Sequence, residues 1–212
     1  MTLTTLRLKR ARITLALLAL VWKVAAAGGG PLGIDHEVGF DQHGIWAQKY
    51  QTALEAAVIA TEMGGALWLG NDDKAGHTFW QTIDASVISG VTATVLKKTI
   101  GRARPDQGNN PNRWFRGSCC ESFPSGEVTL QASFVTPFIV DYAHEHPWVW
   151  TLEILPIYDA TARLKSHAHW QTDVIAGWLL GTGVGYWSAR RQIPLSVQIL
   201  PGGFSVGFSK HF

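Results

Sequence analysis

The sequence predicts an all-α protein, a helical bundle closed by a short β-hairpin, and three features predict it. Long stretches place apolar residues at helical spacing between polar positions. Clusters of Gly, Pro, Asn and Asp separate those stretches. The tail changes period, because Leu195–Leu200 and Phe204–Phe208 alternate on either side of Pro201-Gly202-Gly203, the pattern of a hairpin. A chain of 212 residues supports one domain with a real core and is short for two.

The elements follow in order. Arg7, Lys9, Arg10 and Arg12 precede the apolar run Ile13–Trp22, and Ala25-Ala26-Ala27 follows, which has the layout of a secretory signal over 1–27. Lys23 interrupts the hydrophobic part, so an uncleaved amino-terminal anchor is the alternative. Either places the protein in the periplasm or cell envelope. Residues 28–45, rich in glycine, read as extended chain or loop. A helix is expected over Ile45–Leu69, with Asn71-Asp72-Asp73 ending it or capping the next, which runs over Phe79–Ile100. Residues 105–123 carry Pro105, Gly108, Asn109, Asn110, Pro111 and Gly117, and read as a loop. A third helix starts near Gly126 and reaches Tyr142, the apolar stretch 148–161 is helical, and a last helix runs over His169–Arg190. Residues 28–194 thus form the helical domain and 195–212 a β tail.

Composition narrows the function. Apolar residues are 46% of the chain and charged ones 16%, which rules out a disordered protein. A formal charge of +2, with no basic run interleaved with aromatics, gives no basis for nucleic-acid binding. Ten tryptophans suit a packed helical core or a face turned to lipid. No internal helix has the ~20 mostly apolar residues of a membrane span, so any membrane contact is expected to be peripheral. Cys119 and Cys120 are adjacent, closer than disulfide geometry favours, so free thiols are expected, or an intermolecular bridge in an oxidising compartment. No metal-ligand spacing is apparent.

Three segments carry chemistry: Lys97 through Arg104-Pro105, Pro124-Ser125-Gly126-Glu127, and Arg163 through His169 to Asp173. Lys97, Arg104 and Arg163 are cations suited to the oxygens of a phosphoryl group, the arginines offering planar forks. Ser125-Gly126 opens a helix, whose free N–H groups and dipole favour an anion. His169 and Asp173, four apart on the expected last helix, share a face, so the carboxylate can fix the imidazole tautomer and leave the other nitrogen to attack phosphorus. Each piece alone is ordinarily a solvated face or a helix cap. Their order makes the signal.

That order resembles the three-part signature of the type 2 phosphatidic acid phosphatase superfamily, which includes class A bacterial acid phosphatases and vanadium haloperoxidases. The family pattern is Lys, six residues, Arg-Pro; then Pro-Ser-Gly-His; then Ser-Arg, five residues, His, three residues, Asp. Lys97, Arg104 and Pro105 match the first part, and Arg163, His169 and Asp173 match the third, with Ala162 in place of the serine. The resemblance implies the family's helical bundle and a metal-independent, cofactor-free phosphatase acting on a phosphomonoester or a lipid-linked phosphate or diphosphate. It makes His169 the nucleophile and Asp173 its orienting partner. Phosphate would be held by Lys97, Arg104 and Arg163, joined by Ser125 and the Gly126 backbone.

The departure is Glu127, where the family has the histidine that protonates the leaving oxygen. Two alternatives follow. Glutamate in a first helical turn is favourable against the dipole by roughly 0.3–1 kcal/mol, which would leave a phosphate-binding protein of little or no activity. Alternatively, a phosphate about 4 Å away repels the ionised carboxyl by roughly 4 kcal/mol at an effective dielectric near 20, and so favours the protonated general acid and an acidic optimum. Arg102 is expected either at the phosphate or in solvent. His77, His144 and His146 are expected at the surface or in loops, and His167 away from the site unless the last helix starts after it.

Overall fold

The computed structural model describes residues 29–191, 196–200 and 203–207. The expected leader over 1–27 lies outside them. Five α-helices make the body: α1 (Gln48–Leu69), α2 (Lys74–Ile100), α3 (Gly126–Tyr142), α4 (Ile154–Lys165) and α5 (Gln171–Ala189). Single 3₁₀ turns precede α1 (Gly44–Trp46) and follow α2 (Pro105–Gln107), and a longer one (Pro147–Glu153) leads into α4. The tail is β1 (Ser196–Leu200) and β2 (Gly203–Gly207), paired antiparallel with Val197 opposite Val206 and Ile199 opposite Phe204.

The helices expected from periodicity are present, with three shifts at their starts. The first begins at Gln48, because the chain at Ile45 is still in its 3₁₀ turn. The second begins at Lys74, where Asp73 is the N-cap residue and the Thr78 hydroxyl hydrogen-bonds the Lys74 carbonyl and Asp141. The third shift matters most: α5 starts at Gln171, so His169 is not on a helix. Trp170 is buried as its N-cap residue, and its N–H donates to the Asp173 carboxylate at 2.9 Å.

Helix α3 is the axis of the bundle and packs on α2, α4 and α5. Val128, Ala132 and Val135 on it are wholly buried, and Phe134, Val135 and Ile139 form the core with Val58 of α1 and Val149. Its contact with α5 is close because Gly177, Gly181 and Gly185 recur every fourth residue and face α3. A Cβ at Gly181 would lie 2.3 Å from the Thr129 carbonyl oxygen, and one at Gly177 would lie 2.5 Å from that of Ser125. This close approach brings the start of α3 against the start of α5, where the Ser125 N–H donates to the Asp173 carbonyl at 3.0 Å.

Polar groups are buried between the helices as well. Glu62 of α1 accepts from the Ser86 hydroxyl at 2.6 Å, and burial pushes its carboxyl up to about 7 in spite of that bond. Outward faces carry apolar stripes, Ile59, Met63 and Leu67 on α1 and Val87, Val91 and Val95 on α2. Among the described residues no helix is long and apolar enough to cross a membrane.

The α3–α5 contact makes a direct prediction. Gly181→Ala must move backbone rather than a flexible side chain, at a cost of about 1–3 kcal/mol, measurable as a lower denaturation midpoint. Gly183→Ala, whose Cβ would meet nothing within 4 Å, leaves the midpoint unchanged or raises it.

Candidate active site

Helix α2 ends at Gly101, which takes the left-handed conformation at φ 53° and returns its N–H to the Lys97 carbonyl. That turn sends Arg102 inward. Its side chain is fully buried, and all five guanidinium N–H groups are bonded. Nε and Nη2 donate to the Pro111 carbonyl, Nη2 also to Asp35, and Nη1 to Thr172 and Asp173. Trp114 and Trp170 cover its carbon at 4.2 and 5.7 Å from their ring centres. Arg102 is therefore neither a phosphate ligand nor a solvated cation, the two roles expected from sequence. Asp35, in the stretch read as plain loop, completes the group by accepting the Thr172 N–H at 2.8 Å and its hydroxyl at 2.7 Å.

Asp173 is held on all sides. One carboxylate oxygen takes Arg102, and the other takes the Ser122 hydroxyl and the Trp170 N–H. Burial would raise its proton affinity, but His169, Arg102 and Ser122 outweigh burial and keep it below the ordinary carboxylate range. His169 is 1% exposed, and its Nδ1 lies 2.6 Å from the Ser122 carbonyl oxygen against 3.8 Å from Asp173. A carbonyl can only accept. Nδ1 therefore carries a hydrogen, so that in the neutral ring the lone pair lies on Nε2. The contact that fixes the tautomer is the Ser122 main chain, and Asp173 acts on it by gripping the Ser122 hydroxyl.

Of the remaining motif residues, Glu127 lies beside Nε2 and Arg163 adjoins Glu127. Glu127, in the first turn of α3, places one oxygen 3.7 Å from Nε2 and the other 3.3 Å from the Arg163 guanidinium. Arg163, in the last turn of α4, also donates to Gln48 and Gln51 of α1. Lys97 donates to the Glu121 carbonyl at 2.8 Å, and a Cβ built on Gly126 would sit 3.5 Å from its Cε. Arg104 is close enough to depress the proton affinity of Lys97. Three buried atoms have no hydrogen-bond partner in this small volume: Ser125 Oγ, Arg163 Nε and His169 Nε2. The Arg163 N–H and the Ser125 hydroxyl are donors of the kind an oxyanion takes.

Comparisons with known proteins identify the family. The model of the PAP2 superfamily matches residues 80–193, more than half of the chain. This chain belongs to the PAP2 superfamily. It is 35% identical over 100 residues to a lipid A 1-phosphatase of Rhizobium johnstonii, covering 45% of this chain and 40% of the relative. It is 28% identical over 106 residues to an undecaprenyl-diphosphatase of Sulfolobus acidocaldarius, covering 49% and 50%. The chain thus spans half or less of the length of these curated relatives. The crystal structure of Aquifex aeolicus LpxE superposes with a TM-score of 0.53 over 70% of this chain and 88% of that one, at 18% identity, which establishes the shared helical fold.

Within the PAP2 site, Glu127 is the unusual group. Burial pushes its carboxyl up, but His169 in its protonated form and Arg163 outweigh it and hold Glu127 well below the usual carboxylate range. It is ionised in this arrangement. The other histidines do not replace it. His167 precedes α5, but its ring bonds the Val38 carbonyl and packs on Phe40, away from Nε2. His77 sits on α2 bonded to Asn71, and His144 and His146 are exposed. Cys119 and Cys120 are joined to each other in a disulfide, where free thiols were expected. The turn closed by the Cys120 N–H on the Gly117 carbonyl brings the two sulfurs together despite a Cα separation of 3.8 Å. Ser122, Asp35 and Thr172 carried no sequence signal, since two act through main chain or across long separations. No group of His, Cys, Asp and Glu suited to a metal ion occurs among the described residues.

Burial, with Arg104 and Arg163 nearby, lowers the Lys97 ammonium to about 8 even though Glu127 opposes the shift. A lowered lysine is a cation below that pH and neutral above it. Phosphate or vanadate affinity, measured by calorimetry, is therefore expected to fall as pH rises through about 8. In Lys97→Arg the fall should disappear, because a guanidinium keeps its charge.

Proposed function

We propose that this protein is a phosphatase that releases phosphate from a phosphomonoester or lipid-linked (di)phosphate through a phosphohistidine on His169. The observation that carries it is the buried His169, its Nδ1 fixed by the Ser122 carbonyl and its Nε2 beside Glu127, which Arg163 contacts in turn. On this reading Nε2 attacks phosphorus while Lys97, Arg104 and Arg163, with Ser125 and the first N–H groups of α3, hold the equatorial oxygens. The ester P–O bond breaks, and the leaving oxygen takes a proton from Glu127. A water molecule then attacks the phosphohistidine, Glu127 receives its proton, and phosphate leaves. No step calls for a metal or cofactor.

The substrate class is argued from two sides. The relatives named above are a lipid A 1-phosphatase and an undecaprenyl-diphosphatase. An apolar groove of about 380 Å³ runs beside the site, lined by Val128, Pro156, Ile157, Val174 and Trp178, two of them next in sequence to Glu127 and Asp173. Such a groove suits a hydrocarbon chain attached to the phosphate. A lipid substrate and the expected leader together favour the cell envelope as the place of action, with the apolar outer face meeting the membrane.

The deciding assay is phosphate release from soluble phosphomonoesters and lipid phosphates over about pH 4 to 8. Wild-type protein is expected to turn over, with lipid phosphates preferred. His169→Ala should lose about a thousandfold or more, and wild type quenched in alkali should carry an acid-labile phosphoryl group. Unchanged release from His169→Ala would sink the proposal.

A further inference from the structure

The segment before α1 carries no motif, yet it runs antiparallel along the loop that presents His169. Asp35 accepts the Thr172 N–H at 2.8 Å and its hydroxyl at 2.7 Å. The His36 N–H donates to the Gln171 amide oxygen at 2.9 Å, and the His36 carbonyl accepts the Gln171 amide nitrogen at 2.9 Å. The His167 ring bonds the Val38 carbonyl at 2.7 Å and packs edge-on against Phe40. The Asp41 N–H donates to the Lys165 carbonyl at 3.0 Å, and its carboxylate lies 3.6 Å from the Lys165 ammonium. His169 lies within the stretch so tied.

We propose that the segment 35–41 is a brace for the nucleophile, and that Asp35 and His167 are positioning residues that set the aim of His169 without touching substrate. The inference rests on the phosphatase reading and deepens it.

Two separate ties reach His169 from the brace. The first runs through charge. Asp35 Oδ2 accepts Arg102 Nη2 at 2.6 Å, and Arg102 Nη1 donates to one oxygen of Asp173. The Ser122 hydroxyl donates to the other Asp173 oxygen, and the Ser122 carbonyl fixes His169 Nδ1 at 2.6 Å. Both side chains of the Asp35–Arg102 pair are fully buried, so water screens little of the attraction between them. The second tie runs through backbone. His167 has φ 56°, a left-handed conformation that costs energy in any residue with a Cβ. Strain of this kind persists only where the surroundings hold it. Here the Val38 carbonyl and Phe40 hold the ring, and the Asp106 N–H donates to the His167 carbonyl at 3.1 Å, two residues before His169.

The brace is itself anchored. Gly29 and Asp35 exchange main-chain N–H···O bonds at 2.8 and 2.9 Å, and Gly30 lies against the Asp35 carboxylate with no room for a Cβ. Among the described residues, no hydrogen bond or ion pair joins the segment 35–41 to Lys97, Arg104, Arg163 or Ser125, the side chains assigned to the anion. Loosening the brace should therefore misdirect the attacking nitrogen and leave the anion site as it is. An effect on alignment alone lowers kcat and spares binding, and a displacement of about 1 Å is enough to cost about a hundredfold.

The measurement is kcat and KM for 4-nitrophenyl phosphate with the inhibition constant of vanadate, in wild type, Asp35→Asn and His167→Gly. Asp35→Asn keeps the size of the side chain and takes one of two counter-charges from Arg102. His167→Gly releases Val38 and Phe40 at a φ that glycine adopts without strain, so it is expected to fold. In each variant kcat should fall about tenfold or more, while the vanadate constant stays within about threefold of wild type. Nitrogen NMR of the neutral imidazole should show the cause, with the Nδ1–H tautomer of His169 alone in wild type and both tautomers in the variants. A folded Asp35→Asn or a His167→Gly with the kcat of wild type would overturn the proposal. Equal losses of kcat and of vanadate affinity would mean a structural role and overturn it as well. If Asp35→Asn does not fold, His167→Gly decides alone by the same readings. Wild type that binds vanadate but is inactive on every ester would instead sink the phosphatase reading, and this inference with it.

Discussion

The buried Arg102 guanidinium is the constraint from which the geometry of the site follows. A charge taken out of water costs several kcal/mol unless its hydrogen bonds are all replaced. Here they are replaced from three separate parts of the chain: Asp35 in the segment before α1, Pro111 in the loop after α2, and Thr172 with Asp173 at the start of α5. None of these can move without stranding a charge. Asp35 also receives the Thr172 N–H, so it serves as an external cap on α5 as well as a counter-ion. A chain of contacts then runs outward from Arg102 to Asp173, from Asp173 to the Ser122 hydroxyl, and from the Ser122 carbonyl to His169 Nδ1. On the proposed mechanism, the attacking nitrogen is aimed by a cation it does not touch.

The same chain of contacts marks what can be read from a sequence. Lys97, Arg104, Arg163 and His169 are legible because their chemistry resides in their side chains and their spacing is fixed by local structure. The helices were legible for a similar reason, since α1 to α5 each carry their own period. Ser122 is another matter: its part is played by a main-chain oxygen, and every residue has one. Asp35 meets Arg102 across a separation of 67 positions, which no local pattern encodes. His169 and Asp173 do come together, but not by sharing a helical face. The helix begins between them, because Asp173 takes the Trp170 N–H and ends the extended segment there. The two residues lie 3.8 Å apart by a route other than the expected shared helical face.

Buried acids were the other blind spot. Glu62 falls at a polar position of a helical pattern, and Asp159 stands in an otherwise unremarkable stretch of α4. Periodicity assigns such residues to solvent, because it counts polar side chains as outward-facing. The bundle places Glu62 against Ser86 and Asp159 behind Arg163, where burial makes both hold protons near neutrality. Only the packing of α1, α3 and α4 around one arginine turns Asp159 from a surface position into part of a charge system.

That charge system gives the substitution at Glu127 a physical meaning. Burial, and then the repulsion of Arg104 and Arg163, lower the proton affinity of Lys97. An ionised Glu127 opposes that shift, so with no anion in place it helps to keep Lys97 charged. When a phosphate dianion arrives the need reverses. The phosphate now balances the cations, and a carboxylate about 4 Å from it is repelled by roughly 4 kcal/mol, a factor of about a thousand in proton affinity. Loss of the Arg163 contact adds to that. A histidine at this position would be a neutral or cationic neighbour of the phosphate and would need no such exchange. On the proposed mechanism, a glutamate ties its protonation to the arrival of the anion, so that binding of substrate is itself what arms the acid.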